Sequence, residues 1–159
     1  MEEKTPGFTL IELLVVVAVM AILTSSIVAI LNPTRIKRQA RDSVRKSTLA
    51  RVATGLSDFE VTHESFPQTL SQLVPNVLLA VPKSPLGEEF GYVAEKNSGE
   101  PCSVEAKDCE KSVLYDVYES PSGPCPSGTA FWVWTSLTGR LGKVCSTSAP
   151  TTDDVPGDD

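Results

Sequence analysis

The chain is poor in the residues from which most active sites are built. It holds one histidine, His63, in 159 residues, and no glycine-rich phosphate loop. Few enzyme classes survive those two absences, and no Ser-His-Asp or Cys-His set can be assembled. Cys-x-x-Cys is also missing, and the four cysteines lie far along the chain from His63, which disfavours a zinc site. Asp153, Asp154, Asp158 and Asp159 lack the spacing of a calcium loop. No Asn-x-Ser/Thr glycosylation site occurs, because Asn32 precedes Pro33. No catalytic residue, cofactor or metal is therefore expected, and His63 reads as a surface residue at a helix end.

Secretory signal features are lacking too. The start is acidic, with Glu2 and Glu3 beside a single Lys4. No Ala-x-Ala cleavage site and no lipoprotein cysteine follow the apolar run that comes next. That run is long: Leu13 to Leu31 is 19 residues without a charge. As a helix it measures roughly 28 Å, close to the roughly 30 Å hydrocarbon core of a bilayer. Thr24, Ser25 and Ser26 can bond back to helix carbonyls. The rest of the chain is too small and polar to surround such a segment, so a membrane-spanning helix is expected. Glu12 stands at its head, and an ionisable group there calls either for water at the interface or for a cationic partner.

Charge is divided in three. Residues 1–7 carry −1, residues 8–51 carry +5, and residues 52–159 carry −10. A basic arm thus joins an acidic body. Such an arm suits anionic lipid, nucleic acid or the acidic body of a neighbouring copy, and it equally suits a solvated helix face. An acidic body is a poor receptor for DNA, so a nucleic-acid partner is disfavoured.

Beyond the apolar run, Ile36, Ala40, Val44, Val52, Leu56 and Phe59 recur at helical spacing, with bases and polar residues between them. Pro33 should kink or open the helix, since it has no N–H to donate. From Phe8 to about Glu60 the helix would be roughly 80 Å long. Phe66-Pro67 ends it. Thr69-x-x-Gln72 suggests a capped short helix stopped by Pro75. Ten of the twelve prolines lie between Pro67 and Pro156, so the body is loop-rich. Candidate strands are Phe90–Ala94, Ser112–Glu119, Thr129–Leu137 and Leu141–Ser146, with a hairpin turn at Leu137-Thr138-Gly139-Arg140. Phe131, Val133 and Thr135 share one strand face and Trp132 and Trp134 the other, a packing pattern rather than a ligand box. Cys102, Cys109, Cys125 and Cys145 form an even set in a loop-rich body, which suggests two disulfides. Three pairings exist; Cys102–Cys109 with Cys125–Cys145 closes the most local loops.

Gly7-Phe8-Thr9-Leu10-Ile11-Glu12, followed by Leu13-Leu14-Val15-Val16-Val17, resembles the processing and assembly signature of type IV pilins and type II secretion pseudopilins. Pro33, the basic stretch Arg35–Arg51 and Phe66-Pro67 are similar to the same family. The resemblance covers about the first 75 residues; beyond them only the layout matches. It implies an α+β, pilin-like fold, with a long N-terminal helix whose second half packs on a small antiparallel sheet. With the composition and cysteine count, it divides the chain into a leader (1–7), an apolar transmembrane and assembly helix (8–32), a basic amphipathic helix (33–62), a disulfide-containing α+β head (63–146) and an acidic tail (147–159) whose Ser, Thr, Pro and Asp content suggests disorder. It implies cleavage between Gly7 and Phe8 by a prepilin peptidase, N-methylation of Phe8, and a pairing of Glu12 with the N-terminal amine of the adjacent subunit. The implied partners are other copies of the chain and other pilins, an inner-membrane assembly platform, and membrane lipid before assembly. The implied location is the cytoplasmic membrane with the head outside, then a pilus or pseudopilus. The positive-inside rule alone would put the body in the cytoplasm; the motif and the cysteines place it outside.

Overall fold

The computed structural model describes residues 7–30, 32–120, 125 and 128–157, with the side chains of residues 26–30 outside that description. The chain divides into two compact units, Met1–Ile36 and Lys37–Asp159.

The first unit holds α1, Leu10–Ile30. Its Leu, Ala and Met residues favour a helix while its many Val and Ile residues favour it less, and Thr9 and Glu12 start it. The hydroxyls of Thr24 and Ser25 donate to the carbonyls of Met20 and Ile22 at 2.7 and 2.8 Å, which lets polar residues ride on an apolar helix. The second helix, α2, runs Pro33–His63. Its start explains the proline. Asn32 Oδ1 accepts from the Arg35 N–H at 3.2 Å, and Pro33 takes the first helical position, where a missing N–H costs nothing. The single long helix expected from Phe8 to Glu60 is therefore two helices.

The second unit is an α+β body in which α2 packs on a four-stranded antiparallel sheet. The strands are β1 (Gly91–Glu95), β2 (Lys111–Val117), β3 (Thr129–Thr135) and β4 (Leu141–Ser146), in spatial order β1-β2-β3-β4. Each candidate strand is found, with shifts of a residue or two at the ends. One 3-10 turn, Leu70–Leu73, follows α2; Gln72 Oε1 accepts from the N–H groups of Gln68 and Thr69 at 2.7 and 3.3 Å. The core is made by Leu49, Val52, Leu56 and Phe59 of α2 against Leu114, Trp132 and Trp134 of the sheet, with Phe66 and Leu73 closing one end. Trp132 and Trp134 therefore take the helix-facing side, as alternation requires.

The buried stripe of α2 differs from the expected one. Ile36 and Val44 are exposed, and the stripe continues toward the N-terminus through Asp42 and Arg45. Arg45 is 1 % exposed. Its Nε donates to Asp116 Oδ2 at 2.9 Å and its Nη1 to Asp42 Oδ1 at 3.3 Å, and its Nη2 pairs with Glu119. Asp42 also accepts from the backbone N–H groups of Glu119 and Ser120 at 3.0 and 2.7 Å. Arg41 pairs with Glu119 from the rim. Part of the basic arm is thus an internal bolt rather than a solvated face. It is tied to the end of β2, where core-facing Asp116 needs a cation.

The stretch expected to be a disordered tail folds back as far as Gly157. Asp154 caps the turn at Thr151. Thr152 is buried, and its hydroxyl donates to Glu95 at 3.0 Å. Gly157 bridges to Lys143 on β4. Pro156 lies over Gly142, where an added Cβ would meet it at 2.7 Å. Gly142 is in register with Val133, so this segment covers the outer sheet face. The physical reason is that Val113 and Val133 are fully buried on that face and need a cover. Asp158 and Asp159 lie outside the described residues. His63 is half-buried and stacks on Phe59 at 3.9 Å between ring centroids.

Candidate processing and assembly site

Gly7 and Phe8 lie in irregular chain just before α1. Phe8 is 86 % exposed. A Cβ built on Gly7 would meet nothing within 4 Å, so no packing among the described residues asks for glycine there. The six residues before it, Met1–Pro6, which make up most of the expected leader, lie outside the described residues.

Thr9 and Glu12 form a reciprocal cap on α1. Glu12 Oε2 accepts from the Thr9 N–H at 3.0 Å and from the Thr9 hydroxyl at 2.8 Å, and the Glu12 N–H donates to Thr9 Oγ1 at 3.4 Å. This is a capping box, in which two orphan donors of a helix start are satisfied by each other's side chains. Its signal, Thr-x-x-Glu before an apolar run, stands in the sequence at Thr9-Leu10-Ile11-Glu12. Oε1 of Glu12 has no partner among the described residues. The carboxylate is therefore held in orientation by one oxygen while the other remains open as an acceptor. A negative group in a first helical turn is also favoured by the helix dipole.

Behind this cap α1 exposes Leu10, Ile11, Leu13, Leu14, Val15, Val16 and Val17 together. A helix apolar on every side needs an apolar environment. Among the described residues no helix is long and apolar enough to cross a membrane. The span read from the sequence, Leu13–Leu31, runs past Ser25, the last residue of α1 whose side chain is described.

The remaining site residues belong to the body. Cys102 joins Cys109, and Cys125 joins Cys145, with Cα atoms 4.9 and 5.5 Å apart. The first bridge closes the β1–β2 connection. The Phe66 N–H donates to the Cys109 carbonyl at 2.9 Å and Gln68 Nε2 to that of Cys102, so this loop is fastened to the segment leaving α2. The second bridge ties residue 125 to β4. Among the described residues no group of three or more His, Cys, Asp or Glu is placed to hold a metal ion.

No curated protein and no solved structure matches the chain. Residues 4–28 match the prokaryotic N-terminal methylation motif, and the chain thus carries the signature of type IV pilins and pseudopilins.

Proposed function

We propose that this protein is a structural subunit of a type IV pilus or a related filament, cut between Gly7 and Phe8 and polymerised through its N-terminal helix. The observation that carries the reading is the methylation motif over residues 4–28. It heads a helix whose apolar side chains are exposed all round. Such a helix is soluble in lipid and can leave lipid only for another apolar environment, which a bundle of like helices supplies. A heterologous repeat whose rotation does not close grows as an open filament. The empty space around Gly7 supports a requirement for glycine imposed by an enzyme, here a prepilin peptidase, rather than by the fold. The open Oε1 of Glu12 supports pairing with the amine of Phe8 in the adjacent copy. The partners are then other copies, other pilins and an inner-membrane assembly platform. The subunit waits in the cytoplasmic membrane with its head outside before joining a pilus or a secretion pseudopilus.

A single-pass anchored protein that stays monomeric is the second reading. The Thr9–Glu12 cap favours it, because it gives Glu12 a structural task within its own chain. The N-terminal residue of the protein from its native host, read by intact and peptide mass spectrometry, decides between them. N-methylated Phe8 is the expected result; a chain that keeps Met1 would move the anchored monomer to first place.

A further inference from the structure

While one side of α2 packs on the sheet, the opposite side carries a pattern of its own. Lys37, Ala40, Val44, Arg51, Asp58 and Val61 are spaced by three, four or seven residues, so they share one side of the helix. All six are exposed, Val44 to 52 % and Val61 to 81 %. Among the described residues, no side chain pairs with Lys37 or with the Asp58 carboxylate. The helix is also divided in charge, because its bases end at Arg51 and its last two acids, Asp58 and Glu60, follow. Lys37 and Asp58 cannot meet within one copy, since 21 residues of helix hold them about 31 Å apart along the axis. Ala40 and Val61 are separated by the same 21 residues.

We propose that this side of α2 is a contact between copies, in which Asp58 of one copy meets Lys37 of a parallel copy displaced about 31 Å along the helix. Val61 of the first copy then falls beside Ala40 and Val44 of the second. The proposal rests on the filament reading, under which α1 brings copies together in parallel, and it adds the stagger between them. Charge and apolarity choose that stagger independently. At 21 residues acid meets base and apolar meets apolar. A stagger of seven residues, about 10 Å, would pair Arg51 with Asp58, but it would set Val61 on Thr54 and Val44 on Lys37. Twenty-one residues are also close to six turns, so the members of each pair lie within about 60° of one another around the helix. Every copy can therefore turn the same side toward a common axis. The two halves of the contact are different residues, so it is heterologous and leaves one half open at each end of a row. The acidic bodies, with −10 over residues 52–159, repel one another at long range; a local ion pair between them fixes register.

The test is charge reversal in the full chain, produced in its native host, with filament mass read after ultracentrifugation and folding checked by the melting temperature of the purified protein. Lys37→Glu and Asp58→Lys should each lower filament mass about tenfold, because like charges then face one another across the contact. The melting temperature should stay unchanged, since both positions are exposed. The two reversals combined should restore the filaments. Cross-linking gives a second readout. The four native cysteines are bonded in pairs, so a short bis-maleimide added to filaments carrying both Lys37→Cys and Asp58→Cys finds only the introduced thiols. A ladder of linked multimers is expected from that double variant and none from either single variant. Normal filaments from both single reversals, no recovery in the double reversal, or no ladder would overturn the contact and leave the filament reading standing. Recovery of Asp58→Lys by Arg51→Glu instead would overturn it in favour of the seven-residue stagger. No filaments from the unaltered chain would overturn both readings.

Discussion

Arg45 and Glu12 show how differently a charged residue behaves when its partners are inside its own chain. Arg45 has three carboxylates around it, from Asp42, Asp116 and Glu119. Removing it leaves them facing one another in a place shut off from water. Arg45→Met should therefore lower unfolding stability by about 3–5 kcal/mol in urea denaturation, whereas Arg51→Met, at an exposed position of the same helix, should change little. The carboxylates themselves titrate in opposite senses. Hydrogen bonding from Arg41 holds Glu119 below its ordinary 4.5, so its contribution is full above that pH and fades as pH falls through the folded value. Burial pushes Asp116 above its ordinary 3.8, so folding keeps a proton there that the unfolded chain releases, and stability declines as pH rises through that window. Melting temperatures from pH 3 to 7 should separate them: Glu119→Gln flattens the acid limb, and Asp116→Asn steepens the rise. For Glu12, Glu12→Ala should abolish assembly while membrane insertion persists. Normal filaments from that variant would remove its pairing role.

At the scale of elements, α1 and α2 obey different rules. The first is held by its cap and by whatever apolar medium surrounds it. The second is held by its stripe against the sheet. The expected stripe through Ile36 and Val44 was wrong at its N-terminal end because periodicity counts only apolar residues. Asp42 and Arg45 occupy stripe positions that pairing, not hydrophobicity, makes burial-competent. A hint was present: Asp116 lies on the same side of β2 as Leu114, and a lone carboxylate on a core face demands a cation. Gly55 is another stripe position, with Val77 and Leu78 packed over it; an added Cβ would meet Val77 at 3.2 Å. The loop from Cys125 to Cys145 spans 20 residues. Replacing both by serine should cost about 2–4 kcal/mol, measured as a lower urea midpoint in the otherwise intact chain.

At the scale of the molecule, the body has what an independent domain needs: a core, a covered sheet and two disulfides. A chain starting at Lys37 should unfold cooperatively on heating, with a sharp two-state transition by circular dichroism; a broad, probe-dependent melt would show that α1 is required for folding. Cutting the chain after Ser146 should strip the cover from Val133 and Gly142, lowering the melting point and exposing apolar surface to a hydrophobic dye. That segment looked like a solvated tail because Ser, Thr, Pro and Asp dominate it. Its docking depends on two buried prolines and one threonine, too few to create a hydrophobic pattern.

The order of helices and strands, the apolar run and the motif at Gly7-Phe8 through Glu12 could be read from the chain, because each is a local pattern of neighbouring residues and needs no knowledge of what lies across the fold. The cysteine count allows three pairings, and the short spacings favour Cys102–Cys109 with Cys125–Cys145. Only the tertiary structure decided which charges of the basic arm are buried and what covers the outer face of the sheet. Those features join residues far apart in sequence, and a one-dimensional pattern holds no signal for which distant partner a polar group will find.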